Sequence, residues 1–308
     1  MKLSLVIPTL NASKYIAPLM KQLAAQTRPL DEIIVVDSSS DDDTVSLVNK
    51  YPSVKVISIA REAFNHGGAR DMAFRQSSGD FILCLTQDAF PENTHYVENL
   101  LKPLEADLAI AMVSGRQVAR PEASLPEKLT REFNYPASSF IRDKNDLSRL
   151  GIKTFFASDC CAAYRRSAYE AIGGFDKNIL VNEDMKIAAK FIFAGYKIAY
   201  VGDAAVLHSH DYSLRQHFSR NFDVAAFISM NPDLFGGVSA EKEGIRMVKW
   251  VLKELLRKGH FFAAAHYVME CAAKYLGNRQ GTRFRSIPLD KIIRLSGNKT
   301  FWRKWSAT

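Results

Sequence analysis

Three acidic points in the chain carry side chains suited to chemistry. Asp37 closes the run EIIVVD, Asp88 ends Thr86-Gln87-Asp88 after the run FILCL, and Glu183-Asp184 opens a helical stretch that ends before Gly195. A fourth segment, FNHGGARD (Phe64–Asp71), joins a glycine pair to a cation. Gly67 and Gly68 permit close backbone approach and open a helix whose N–H groups can face phosphate. Arg70 can neutralise anionic charge. Further on, LHSHD offers His208 and His210 as nitrogen ligands or proton carriers. Together these residues suit a polar ligand accompanied by a cation. Each has an ordinary alternative: aspartate after a strand is common turn chemistry, and Asn182-Glu183-Asp184 favours a helix start.

The elements that must position these residues read as strands alternating with helices. Apolar runs at Leu3–Pro8, Glu32–Asp37, Val54–Ile59, Phe81–Thr86 and around Ala109–Gly115 are strand-like. Helical segments are expected at about 12–26, up to Lys50, at 67–76, 94–104 and 183–194. Such alternation predicts right-handed βαβ units and a mostly parallel sheet, with ligands beyond the carboxyl ends of the strands. Asp37, the Arg61–Arg70 loop and Thr86-Gln87-Asp88 all follow strands. Arg120–Lys153, with Pro121, Pro126 and Pro136, reads as a long irregular loop or lid.

The chain has 308 residues, 47% hydrophobic, enough for a large α/β core with an appendage. Its four cysteines form no C-x-x-C pair and are expected to be reduced, which points to the cytoplasm. The opening MKLSLVIPTL is read as a first strand rather than a signal peptide, because Pro8 and Asn11 interrupt the apolar run. No apolar stretch is long enough to span a bilayer.

Five landmarks occur in order: LSLVIPTLNASKYI, IIVVDSSSDDDT, GD-FILCLTQDAFP, RRSAYEAIGGFD and NEDMKIAAKFIFAGYKIAYV. Over roughly residues 1–215 the chain resembles the family 2 glycosyltransferases, which have a GT-A fold. The resemblance implies an inverting sugar transfer from a nucleotide-diphosphate donor. It implies that Pro8 and Thr9 close the first strand against the nucleotide and that Asp37 accepts from the base. Thr86-Gln87-Asp88 stands where the family has Asp-x-Asp. Asp88, with His208, would therefore hold Mg²⁺ or Mn²⁺ against the diphosphate, and Gln87 would contact the nucleotide. Thr86 departs from the pattern, since a hydroxyl is a weaker ligand than a carboxylate. Asp184 would be the base, supported by Glu183, while Asp159 lies on the acceptor side. FNHGGARD and TQDA resemble rhamnosyltransferases that use dTDP-L-rhamnose, in which Arg70, His66, Gly67 and Gly68 would meet the diphosphate and sugar. Asp71 stands where that subgroup has Asn. The implied acceptor is a lipid-linked or growing surface polysaccharide. A UDP-hexose transferase and a non-catalytic nucleotide-sugar-binding scaffold are the alternatives.

The domains read from these patterns are a catalytic domain at 1–240 and a helical extension at 241–308. Within the first, a nucleotide-sugar half covers 1–118 and an acceptor half 119–240. The charge is uneven. From Glu241 onward 15 Lys+Arg stand against 5 Asp+Glu, a local +10, which leaves −2 for the first 240 residues. Gly244–Lys258 reads as an amphipathic helix with Ile245, Val248, Val251, Leu252, Leu255 and Leu256 on one stripe and cations opposite. The tail is expected either to meet an anionic membrane at its inner face or to pack on the catalytic domain or a second subunit. Nucleic acid is not an expected partner, since no recognised module is present.

Overall fold

The structure, a computed structural model, describes residues 1–236 and 241–305. The chain divides into two compact units. The first comprises Met1–Val118, Tyr135–Lys177 and Glu183–His208, and the second Ala119–Asn134, Asn178–Asn182 and Ser209–Thr308.

The first unit is a nine-stranded sheet flanked by helices. Its strands are β1 (Leu3–Thr9), β2 (Glu32–Asp37), β3 (Val54–Ser58), β4 (Phe81–Leu85), β5 (Phe90–Pro91), β6 (Ile110–Val118), β7 (Phe140–Arg142), β8 (Cys161–Arg165) and β9 (Lys197–Leu207). The order is β3-β2-β1-β4-β8-β6-β9-β5, with β7 also paired to β9. The strands β1, β2, β3 and β4 are mutually parallel, and β6 runs parallel to β9. The β4–β8, β6–β8, β5–β9 and β7–β9 pairs are antiparallel, so the sheet is mixed rather than mostly parallel. Sequence periodicity could not show this. A strand buried on both faces reads as one continuous apolar run whichever way its neighbour points.

β1 and β4 are near-continuous apolar runs because helices cover both faces of the sheet. Leu3, Leu5 and Ile7 of β1 share a core with Leu83 and Leu85 of β4, Leu19 and Leu23 of the helix Ser13–Ala24, and Leu100 and Leu104 of the helix Tyr96–Ala106. The chain runs outward from β1 to β2 and β3, then returns to place β4 on the other side of β1. The topological switch point therefore lies between β1 and β4, the place beyond the strand ends at which open α/β sheets bind ligands.

Arg120–Lys153, expected as an irregular loop, carries the helix Leu125–Asn134 and the strand β7. Within the second unit Leu129 packs with Val251, Leu255, Ala264 and Tyr267. Those partners lie more than a hundred residues away, so local sequence gives no sign of the stripe's mate. In the helix Glu241–Arg257, Val251 and Leu255 are fully buried while Ile245 and Leu256 remain exposed. That amphipathic stripe is thus covered in part within its own unit.

The contacts separate the chain near 208–209 rather than at the expected 240, and residues 237–240 lie outside the described residues. The cause is the packing of helix Leu214–Met230 along helix Phe261–Thr282. A Cβ added to Gly277 or Gly281 would stand 2.2 and 2.1 Å from the carbonyl oxygens of Phe218 and Phe222. Only glycine permits that approach.

Candidate active site

The residues at the switch point are tied to one another. Thr9 Oγ1 donates to Asp37 Oδ1 at 3.0 Å, Ser40 Oγ donates to the same oxygen at 2.6 Å, and Ser40 N–H donates to Oδ2 at 2.9 Å. Three of the roughly four lone-pair positions of the Asp37 carboxylate are thereby filled. Asp37 holds the turn after β2, in which Ser39 adopts φ 57°. Gln87 also binds backbone. Its Oε1 accepts from Leu10 N–H at 2.8 Å and its Nε2 donates to the Leu10 carbonyl at 3.1 Å. This two-bond strap joins the loop after β1 to the loop after β4. Pro8, half-buried, sits one residue before Thr9 in β1.

Next along the β4 loop, Asp88 Oδ1 lies 3.5 Å from His208 Nε2, with side-chain exposures of 13% and 9%. His208 follows the end of β9. Its Nδ1 is 2.9 Å from Gln117 Oε1 on β6. Gln117 Nε2 is held by Tyr135 Oη at 2.9 Å and Ser158 Oγ at 2.8 Å, which fixes the amide's orientation. Because an amide oxygen only accepts, Nδ1 carries the proton and Nε2 is the nitrogen turned to Asp88. A carboxylate oxygen and an oriented imidazole nitrogen belong to a set of donor atoms within 4.8 Å of one another, a geometry that fits a divalent cation. Burial works against the charged imidazole, but Cys160 and Asp88 outweigh it and push His208 up to about 9. Thr86 Oγ1 donates to Cys160 Sγ at 3.4 Å, so the hydroxyl standing in place of the family's first aspartate is bonded to sulfur.

A third group gathers around Arg70. The helix His66–Gln76 begins after Asn65, whose side chain caps it by accepting from Gly68 N–H at 3.2 Å. One of the helix-start N–H groups expected to face phosphate is therefore occupied. A Cβ on Gly68 would stand 2.9 Å from the Lys177 carbonyl oxygen, so close packing alone demands glycine there. Gly67 is buried. Arg70, expected on the diphosphate, is instead a buried cation: Nη1 donates to Glu183 Oε1 at 2.6 Å and Nε lies 3.3 Å from Asp159 Oδ2. The Asp159 carboxylate also accepts from Tyr164 Oη. Asp159 is fully buried, so it bears on the site through these neighbours rather than on the acceptor face that the sequence suggested. His66, half-exposed, places Nδ1 4.0 Å from Glu183 Oε1.

Glu183 and Asp184 form the first turn of the helix Glu183–Phe193, where the macrodipole favours negative charge. Asn182, at φ 57°, turns the chain into that helix. The two carboxylates differ. Glu183 is buried on Arg70, whereas Asp184 keeps partial exposure, with Oδ1 accepting from Met185 N–H at 2.7 Å and Oδ2 from Asp159 N–H at 3.3 Å. Burial, then the negative charges of Glu183 and Asp159, push the Asp184 carboxyl well above its usual range. Burial and Glu183 raise Asp159 to about 6 despite Arg70. Gln117, Cys160 and Tyr164 were not anticipated as site residues. They lie mid-strand or in an apolar segment, and only the sheet register brings them to the site.

A nine-stranded mixed sheet flanked by helices carries an Asp–His pair and a buried carboxylate cluster at the ends of its strands, an α/β fold with a polar, cation-compatible site. Residues 4–173 match the model of Glycosyl transferase family 2, and the chain belongs to that family; it is a glycosyltransferase of GT-A fold. It is 38% identical over 98% of its length, and 96% of the relative's, to the O-antigen chain rhamnosyltransferase RfbN of Salmonella typhimurium. It is 39% identical to the O-antigen chain rhamnosyltransferase WbaN of Salmonella anatum, over 97% of this chain and 95% of the relative. The fold is similar to that of a mannosyltransferase from Pyrobaculum calidifontis solved with GDP-Man and Mn²⁺, with a TM-score of 0.58, 20% identity, and 97% and 86% of the two chains covered. It is also similar to residues 1–349 of S. aureus TarS, with a TM-score of 0.56 and 19% identity over 100% and 87% of the chains.

Proposed function

We propose that this enzyme transfers L-rhamnose from dTDP-L-rhamnose, with inversion, to a hydroxyl of a lipid-linked, growing surface polysaccharide. The donor and acceptor classes are supported by the near full-length similarity to two O-antigen chain rhamnosyltransferases. The mechanism rests on one observation. Of the clustered carboxylates, Asp184 alone is both partly exposed and held well above the ordinary carboxyl range. A raised pKa makes it a stronger proton acceptor. The acceptor oxygen attacks the anomeric carbon as the bond to the diphosphate oxygen breaks. The bonding pair leaves with the nucleoside diphosphate, and the hydroxyl proton passes to Asp184. Asp88 and His208 are the residues to hold Mg²⁺ or Mn²⁺, which would supply positive charge beside the diphosphate. Arg70, Asp159 and Glu183 position Asp184 from behind, and Asp37, Thr9 and Pro8 shape the base end of the site. Gln87 holds the strap that closes this end. His66, half-exposed beside Glu183, is the residue assigned to the sugar, at the helix start that Gly67 and Gly68 build.

The test is transfer from dTDP-L-rhamnose to a lipid-linked saccharide, with Asp184→Asn as control. Loss of general-base catalysis lowers turnover by about 10²–10⁴-fold. Near-normal turnover in Asp184→Asn removes the base assignment. A preference for UDP-hexoses over dTDP-L-rhamnose in ligand-induced thermal shifts removes the donor assignment.

A further inference from the structure

The helix Phe261–Thr282 is apolar on two sides. One side, with Ala264, Tyr267, Gly277 and Gly281, is buried in the second unit. The other carries Phe261, Phe262, Val268, Met269, Tyr275 and Leu276, each between 49% and 95% exposed, with Phe262 at the upper limit. These six form three adjacent pairs repeated every seven residues. A straight helix drifts only about 20° per heptad, so all three pairs lie on one face. They run about 22 Å along the axis at 1.5 Å per residue. A helix apolar all round is one covered all round, and this one is covered on a single side.

The surrounding charge identifies the cover. From Arg257 to Arg285 the chain has six cations, and five of them (Arg257, Lys258, Arg279, Arg283 and Arg285) are exposed near the two ends of the helix, Arg257 also pairing with Glu254 just before the span at 2.7 Å. The one carboxylate in that span, Glu270, is buried against His217, His266 and Lys274. A second copy of this chain would bring the same cations to face their equals. An anionic lipid surface offers hydrocarbon to the Phe, Met and Leu side chains and headgroup charge to the arginines and lysines. We propose that this open face of helix Phe261–Thr282 is the enzyme's docking surface for an anionic bilayer, with the helix lying in the plane of the interface. The inference deepens the reading above by locating where the lipid-linked acceptor would be met. It rests on that reading only for this consequence, and its test measures binding without any sugar transfer.

Full-length protein is sedimented with phosphatidylglycerol–phosphatidylcholine vesicles and with phosphatidylcholine vesicles alone. The expected result is binding to the anionic vesicles that falls by at least about tenfold in Phe262→Ser/Met269→Ser, at an unchanged melting temperature. Arg257→Gln/Lys258→Gln should weaken the same binding and make it less sensitive to salt. These four side chains are exposed and outside the catalytic centre. Absence of wild-type binding, equal binding to neutral vesicles, or binding unaffected by either double substitution overturns the proposal. So does a concentration-dependent dimer in sedimentation velocity that is lost in Phe262→Ser/Met269→Ser, which would assign the face to a second copy.

Discussion

Replacing Arg70 by Met tests the carboxylate cluster directly. The substitution keeps an apolar stem of similar length and removes the one guanidinium between Asp159 and Glu183, whose contacts are 3.3 and 2.6 Å. Removing one partner of a buried ion pair leaves an uncompensated charge and costs about 3–5 kcal/mol. For a unit of this size that lowers the melting temperature by roughly 10 °C at pH 8, taking about 2–4 °C per kcal/mol. The loss has a defined pH dependence. Asp159 sits at about 6 in the folded protein against an ordinary 3.8, a difference of about 3 kcal/mol. A carboxyl raised on folding stabilises below its unfolded pKa, and that stability is lost as pH rises through the folded value. In the wild type the decline for Asp159 falls between about pH 4 and 6. Without Arg70 the folded pKa rises further, so the decline extends to higher pH. The gap between wild type and Arg70→Met should therefore be small at pH 5 and large at pH 8. Thermal melts followed by circular dichroism, which reads the sheet of the first unit, measure it across that range. An equal gap at both pH values, or one under about 1 kcal/mol at pH 8, refutes the charged-cluster account.

Two further outcomes follow from the same geometry. Gln117→Leu removes the group that orients His208, and Mn²⁺ affinity measured by calorimetry should fall by about 10–100-fold while the fold is kept. Unchanged affinity would place the cation elsewhere than Asp88 and His208. Gly281→Val puts a Cβ 2.1 Å from the Phe222 carbonyl oxygen and should cost about 1–3 kcal/mol in thermal stability, whereas Gly244→Ala, which meets nothing within 4 Å, should cost nothing.

Sequence alone was enough to place β1, β2 and β4 and the acidic residues at their ends, because buried parallel strands are short apolar runs and the residues after them are local to the motif. It also indicated the Glu183-Asp184 helix start, since carboxylates in a first turn are a local preference. It could not give the antiparallel insertion of β8 between β4 and β6, nor the helix Leu125–Asn134, because their mates are distant in the chain. Nor could it say which charges are paired. Arg70 looks like a free cation in FNHGGARD, and only the approach of Asp159 and Glu183, 89 and 113 residues away, makes it a buried counter-ion. Composition and spacing determine which groups the chain can offer. Tertiary packing decides which of them meet water, and burial sets the charge each one carries.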